Sequence, residues 1–249
     1  MQKANLRETK FFYKFCDTPQ NVTAIFTNRR LNAGFLNQTE ENVKNNREII
    51  LSKLGLELPQ LVCAKQAHSA NVYIAEAQDK GRGSFIYDEA IINMDAFITK
   101  EKGIALSIFV ADCLPVFVID KRSGAIGLIH AGWKGTKNSI VKKAIIMMQQ
   151  SFESRPKDLT VLFGPSIRKC CCEVGQEFLK YFKRGVDIRD DNLYLDLVGI
   201  NYLQLKEIGV PDNNIFDSGI CTFCQNDRFF SYRKEKDSCG RQMALITAM

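Results

Sequence analysis

A single layered α+β domain spanning residues 1–249 is the fold that the sequence predicts, on three observations. Six short strand-like runs follow one another between Leu61 and Ile129, several apolar almost throughout, as in strands buried on both faces. The helical patterns stand outside this block instead of alternating with its strands, which separates α+β from a regular βαβ fold. No repeat of fixed period and no Pro/Gly/Ser-rich linker divides the 249 residues, a length that one core can serve.

Taken in order, Val22 to Thr27 reads as a strand from its β-branched content. Thr39 to Leu54 reads as a helix with Val43, Ile50 and Leu54 on one face and Gly55 placed to stop it. The strand block then runs Leu61–Ala64, Asn71–Ala75, Asp95–Thr99, Ile104–Val110, Val116–Ile119 and Ala125–Ile129. A helix from Thr136 to Ser151 follows, with Thr136 as its cap, then a strand over Leu159–Phe163. Helices over Gly175–Phe182 and Leu197–Ile208 and short strands over Phe229–Arg233 and Met243–Thr247 close the pattern.

Composition narrows the function. With 45% hydrophobic and 25% charged residues the chain is an ordinary globular one, and disorder or a fibrous repeat is excluded. Thirty-four basic against 28 acidic residues leave +6, spread without a basic stripe. That suits anionic small molecules and predicts no nucleic-acid groove. The opening residues Met1 to Glu8 carry no apolar run, and the stretch Gly103 to Ile119 is broken by Asp112 and Pro115. A cytoplasmic protein with no membrane span, monomeric or a small homo-oligomer, is the expectation. Nine cysteines, an odd count, argue against a disulfide framework.

Only two histidines, His68 and His130, are present, so any imidazole chemistry must use them. The strands over 116–119 and 125–129 flank Asp120-Lys121-Arg122-Ser123-Gly124, a turn-rich hairpin connection centred at Arg122 or just before it. Cys113 and His130 then lie almost symmetrically about the turn and meet at its open end, with opposed Cβ atoms roughly 5 Å apart. His68 is the remaining imidazole, and three N/S ligands with a free fourth position describe a catalytic zinc site. Asp112, beside Cys113, is the candidate proton carrier or the group that orients a histidine. Lys134, at the start of a helix after Gly132, can hold a phosphate, and Arg233 and Arg241 add two cations. Cys221-Thr222-Phe223-Cys224 has metal-knuckle spacing but no second pair, and the run Cys170-Cys171-Cys172 cannot turn all its thiols one way. Packed thiols are the expectation for both.

These motifs together resemble the laccase-domain family, also described as multicopper polyphenol oxidase-like or purine nucleoside phosphorylase-like. The matching segments run in the family's order through most of the chain. They are Asn46-Arg47, Lys65-Gln66-Ala67-His68, Asp95-Ala96-Phe97-Ile98-Thr99 and Ala111-Asp112-Cys113-Leu114-Pro115. His130-Ala131-Gly132-Trp133-Lys134-Gly135-Thr136, Gly164-Pro165-Ser166-Ile167 and Cys172-Glu173-Val174-Gly175 follow, then Cys221-Thr222, Phe229-Phe230-Ser231-Tyr232-Arg233 and Gly240-Arg241. Around Arg29 the chain departs from the family's glycine pair, and Cys172 stands where an aromatic residue is common.

The resemblance implies an α/β/β/α layering with mixed sheets, similar to the catalytic domain of cytotoxic necrotising factor. It implies zinc, with copper as the alternative metal, held by His68, Cys113 and His130. It further implies phosphorolysis of purine nucleosides (adenosine, inosine, guanosine, methylthioadenosine), with Arg29 and Arg47 joining Lys134, Arg233 and Arg241 around substrate and phosphate, and deamination of adenosine. Three rival readings stand beside it: a hydrolase or amidase editing peptidoglycan precursors with Cys113 as nucleophile, a copper-dependent polyphenol oxidase, and a non-catalytic zinc-binding module.

Overall fold

The computed structural model of the chain describes residues 1–249, and where the apolar runs are long its elements follow them closely. Three short strands, β1 (Gln2–Lys3), β2 (Leu6–Glu8) and β3 (Phe12–Phe15), precede the expected β4 (Val22–Thr27). Helix α1 (Glu40–Ser52) starts at Thr39, whose side chain accepts the Asn42 N–H. The run over 61–64 divides into β5 (Leu61–Val62) and β6 (Ala64–Lys65), followed by β7 (Val72–Ile74) and β8 (Ile91–Ile92). The longer strands are β9 (Ala96–Thr99), β10 (Ala105–Val110), β11 (Leu114–Asp120) and β12 (Ile126–Ala131).

Where the sequence predicts one helix from Thr136 there are two, α2 (Trp133–Lys137) and α3 (Ile140–Phe152), because Ser139 takes a left-handed φ of 57°. Thr136 therefore lies inside α2 and is no cap; its hydroxyl oxygen accepts the Asn201 amide at 2.9 Å. The expected strand β13 (Leu159–Phe163) is followed by β14 (Glu173–Val174), β15 (Val186–Arg189) and β16 (Asn192–Leu195). Between them the helix predicted over 175–182 is a 3-10 turn over Gln176–Lys180. Helix α4 (Leu197–Glu207) is capped by Asp196, and β17 (Ile215–Asp217), α5 (Tyr232–Glu235) and β18 (Gln242–Ala248) complete the chain. Phe229–Arg233 is not a strand: the Ser231 hydroxyl and the Arg233 N–H both donate to the Asp112 carboxylate, which bends this segment into a turn.

Two mixed sheets carry the fold. One has seven strands in the order β1-β17-β13-β11-β12-β9-β7, the other six in the order β2-β3-β4-β18-β10-β5. Parallel pairs (β1 with β17, β13 with β17, β7 with β9, β10 with β5) sit among antiparallel ones. The sheets face each other across Phe15, Phe26, Leu106, Ile108, Phe117, Leu128 and Ile246. Helices α3 and α4 cover the outer face of the seven-stranded sheet, and α1 covers that of the six-stranded one. The result is helix, sheet, sheet, helix, and the long strands β9 to β12 are buried almost throughout because they have a neighbour on both faces. No helix is long and apolar enough to cross a membrane.

The β11–β12 hairpin positions the site. Its register pairs Leu114 with Ala131 and Pro115 with His130, one step later than a centre at Arg122 implies and two steps later than one between Lys121 and Arg122. The shift arises in the turn, where the Asp120 carboxylate accepts the Arg122 and Ser123 amides and the Asp120 N–H donates to Ala125. Continued by one residue, this register sets Cys113 across from Gly132 and diagonal to His130, on the same face. Pro115 takes part in the pairing and does not end it.

Candidate metal centre and the cavities beside it

Three side chains converge at the open end of this hairpin. One imidazole nitrogen each from His68 and His130 and the Cys113 sulfur lie within 4.8 Å of one another. The two rings meet edge-on, with centroids 4.8 Å apart. His130 comes from β12 and Cys113 from the residue before β11, while His68 belongs to the loop after β6 and has a left-handed φ of 54°.

That loop is held by Asp95, which sequence reasoning passed over as the first residue of a strand. Its Oδ2 accepts the Ala67 and Ser69 amides and the Ser69 hydroxyl, and its Oδ1 accepts the His68 N–H at 3.0 Å. The same Oδ1 meets His130 Nδ1 at 2.8 Å, and the Asp95 carbonyl accepts the His130 N–H. One fully buried carboxylate thus fixes the backbone that carries His68 and orients the His130 ring, and by engaging Nδ1 it leaves His130 Nε2 for the cluster. The signal available in sequence was an acidic residue at a strand start inside a family motif.

Charge follows geometry. Burial alone would raise Asp95, but the His130 contact outweighs it and holds the carboxyl down to about 2. Burial would also raise the Cys113 thiol; His130 and His68 pull it down to about 6. His130 goes the other way, with burial opposing and the Cys113 thiolate and Asp95 lifting it to about 9. The centre therefore stabilises an anionic sulfur beside nitrogen donors. Gly132 leaves the space for a further atom there: a Cβ on it would come within 3.0 Å of Cys113 Sγ and 3.2 Å of His68 Cδ2. This donor set can hold a metal ion.

Two cavities meet at the cluster. The larger, about 840 Å³, is lined by His68, Cys113 and His130 together with Phe35, Gln66, Tyr87, Phe109 and Arg241. The smaller, about 460 Å³, shares His68, Cys113 and Tyr232 with it and adds Trp133, Glu173, Arg233 and Lys236. Both volumes suit small-molecule ligands.

The other predicted residues divide. Arg241 lines the larger cavity, its Nη1 anchored on the Cys239 and Gly240 carbonyls. Arg233 lines the smaller one and donates to the Glu173 carbonyl at 2.7 Å. Asp112 touches neither imidazole: its oxygens accept the Thr222 hydroxyl at 2.7 Å, the Ser231 hydroxyl at 3.0 Å and the Arg233 amide at 2.7 Å. With three donors it ties strand-end loops together, and the orienting role expected of it is filled by Asp95.

Three predicted phosphate ligands lie elsewhere. Arg47 is fully buried between the Phe35 and Phe109 rings, donating to the Ala33, Gly83 and Ser84 carbonyls. It braces the wall of the larger cavity and cannot meet phosphate, because the helix face that carries it turns inward. Arg29 pairs with Glu235 at 3.2 Å and stacks on Phe230, and it lines neither cavity. Lys134 is exposed on α2 over the Trp133 ring, outside both.

The remaining thiols are not simply packed. Cys172 is buried, but Cys170, Cys171, Cys221 and Cys224 bring their sulfurs within 4.8 Å of one another. The turn at 169–171 sets Cys170 and Cys171 on one side and Cys172 on the other.

Comparison with known proteins gives the chain a family and structural relatives. A family model described as multi-copper polyphenol oxidoreductase laccase matches residues 22–249. Purine nucleoside phosphorylase YlmD of Geobacillus stearothermophilus is 31% identical over 214 residues, 82% of this chain and 78% of that protein. Adenosine deaminase RL5, from an unknown prokaryotic organism, is 30% identical over 208 residues, 80% of this chain and 79% of that one. The crystal structure of the YfiH protein of Bacillus licheniformis superposes with a TM-score of 0.94 at 28% identity, over 98% of this chain and 99% of that one.

Proposed function

This chain belongs to the multi-copper polyphenol oxidoreductase laccase family, and from that premise we propose that it is a purine nucleoside phosphorylase that also deaminates adenosine. The observation that carries the reading is the meeting of two imidazoles and a low-pKa thiol at the seam of two cavities. Zinc is the metal we assign to His68, Cys113 and His130, since mixed nitrogen and thiolate donors favour it. When bound, zinc supplies a Lewis acid and lowers the pKa of water toward neutrality. The four-layer arrangement supports the expected likeness to the toxin's catalytic domain as part of this reading.

The rest of the chemistry belongs to the chain's own groups. In phosphorolysis a phosphate oxygen bonds to the anomeric carbon while the carbon–nitrogen bond to the base breaks. The larger cavity offers the aromatic faces of Phe35, Tyr87 and Phe109 to a purine. Arg233 and Arg241, on either side of Tyr232, are the cations we assign to phosphate, where charge-assisted bonds hold a dianion. Asp95 keeps the His68 loop and the His130 ring in place.

The test is adenosine with and without phosphate. Cleavage should require phosphate and release ribose 1-phosphate, while deamination should not need it. Arg241→Met should raise the phosphate KM far more than the nucleoside KM and leave deamination largely intact. Equal loss of both activities would make Arg241 structural, and free ribose formed at the same rate without phosphate would overturn the phosphorylase reading.

A second reading rests on the same low-pKa Cys113 beside His130: a thiol nucleophile of an amidase acting on cell-wall precursors. Full turnover of nucleosides that tracks zinc content removes it, because a ligating sulfur is not a free nucleophile. Copper-dependent phenol oxidation has less support, since a multinuclear copper site needs more than two histidines.

A further inference from the structure

We infer that Cys170, Cys171, Cys221 and Cys224 form a second metal site, a tetrathiolate zinc centre that fixes one wall of the smaller cavity. The four residues come from two loops distant in sequence, the turn after β13 and the loop after β17. Cys171 lies 3.3 Å from Cys224 and 3.5 Å from Cys170, and Cys170 lies 3.8 Å from Cys224, sulfur to sulfur. All four sulfurs fall within 4.8 Å. Zn–S bonds of about 2.3 Å in a tetrahedron put sulfurs about 3.8 Å apart, so this cluster already has the dimensions of such a centre.

Local structure is built for it. The Cys171 and Cys172 amides both donate to the Arg168 carbonyl, closing a turn that lets two consecutive cysteines face one point. A backbone bridge between Ser166 and Cys221 pins the second loop against the first. Hydrophobic packing does not account for the group, because Cys170 and Cys224 are exposed. A single disulfide would use two of the sulfurs and leave the convergence of the others without a cause.

The site also has a consequence. Cys172, Glu173, Val174 and Gly175, which follow the first pair directly, line the smaller cavity. Thr222, next to Cys221, donates to Asp112 beside Cys113. A metal here clips both loops, and with them the wall that faces the His68–Cys113–His130 cluster. The clip does not depend on what that cluster does.

Metal analysis of protein made with zinc and purified under reducing conditions tests this, with cobalt substitution as a second readout. Wild type should carry about two zinc ions per chain, given one for each donor group. His68→Ala/His130→Ala should keep the tetrathiolate zinc and lose the other, whereas Cys171→Ser/Cys224→Ser should do the reverse. Thiolate-to-cobalt absorption scales with the number of sulfur ligands, so the first variant should show about fourfold more per cobalt than the second. Cys172→Ser, a neighbour outside the four, should keep both ions. The proposal is overturned if the folded His68→Ala/His130→Ala protein, checked by circular dichroism, holds no zinc. It is overturned equally by two zinc ions in the double-serine variant, by iron in place of zinc, or by a thiol count two short under reducing purification. If zinc at the histidine cluster alone fails to appear, that reading falls while this one stands.

Discussion

At the scale of single residues, the site depends less on its ligands than on the carboxylate behind them. Asp95 accepts three backbone amides and a hydroxyl from the loop carrying His68, and the same carboxylate touches His130. A carboxylate behind a ligating histidine fixes its tautomer and raises its basicity. Asp95→Asn keeps the shape but loses the charge, so it should weaken zinc binding at the cluster by roughly 10- to 100-fold. Competition with a chromogenic chelator measures this, and unchanged affinity would reduce Asp95 to loop architecture. His68, Cys113 and His130 were legible because histidine is scarce and hairpin symmetry brings Cys113 and His130 together. Asp95 was less so, since an acidic residue opening a strand is common and its bonds run to amides that no side-chain pattern displays. Arg47 shows the opposite failure, a charged residue on a helix whose desolvation is offset in part by three carbonyls and two aromatic faces that sequence does not reveal.

Elements were legible where an apolar run was long enough to be buried on both sides. β4 and β13 have the predicted bounds, and β9 to β12 differ by a residue or two. β1, β14, β15 and β16 have two to four residues and are mostly exposed or half-buried, so their backbone pairing leaves no hydrophobic trace. The hairpin register lies one or two steps from its expected place because Asp120 organises the turn through amides. Burial would raise its carboxyl, but the Ser123 hydroxyl and the Arg122 and Ser123 amides outweigh it and hold it below the usual carboxylate value. A depressed folded-state pKa contributes stability that is present above the unfolded value, about 4, and is lost as pH falls through the folded one. Asp120→Asn should therefore cost about 2 kcal/mol at pH 7, from charge-assisted bonds to a residue with no exposed surface. The gap to wild type should narrow below about pH 4. Urea midpoints at pH 7 and pH 3 decide it; a gap that is constant with pH would show that the charge contributes nothing.

For the whole molecule, we propose that residues 1–249 unfold as one unit. The two sheets share a single apolar layer, in which Phe15 of one and Phe117 of the other approach to 5.1 Å between ring centroids. The part least joined to it is the three-stranded sheet β14-β16-β15 with its own small cluster around Cys172, Phe182 and Leu195. Trp133, the only tryptophan, packs on Phe178 and Tyr181 at the edge of that cluster. Its fluorescence therefore reports the least attached region, while far-ultraviolet circular dichroism reports the two large sheets. Phe117→Ala removes a fully buried ring from the layer between the sheets, an apolar cluster separate from Trp133's, and should cost about 3–5 kcal/mol. In one cooperative unit the loss is felt everywhere, so fluorescence and circular dichroism should shift to the same lower urea midpoint and stay coincident. A variant whose circular dichroism midpoint falls while the fluorescence midpoint stays at the wild-type value would divide the chain into two units. The wall of the smaller cavity would then be free to open without disturbing the sheets, and the seam on which the proposed chemistry depends would be a joint between them.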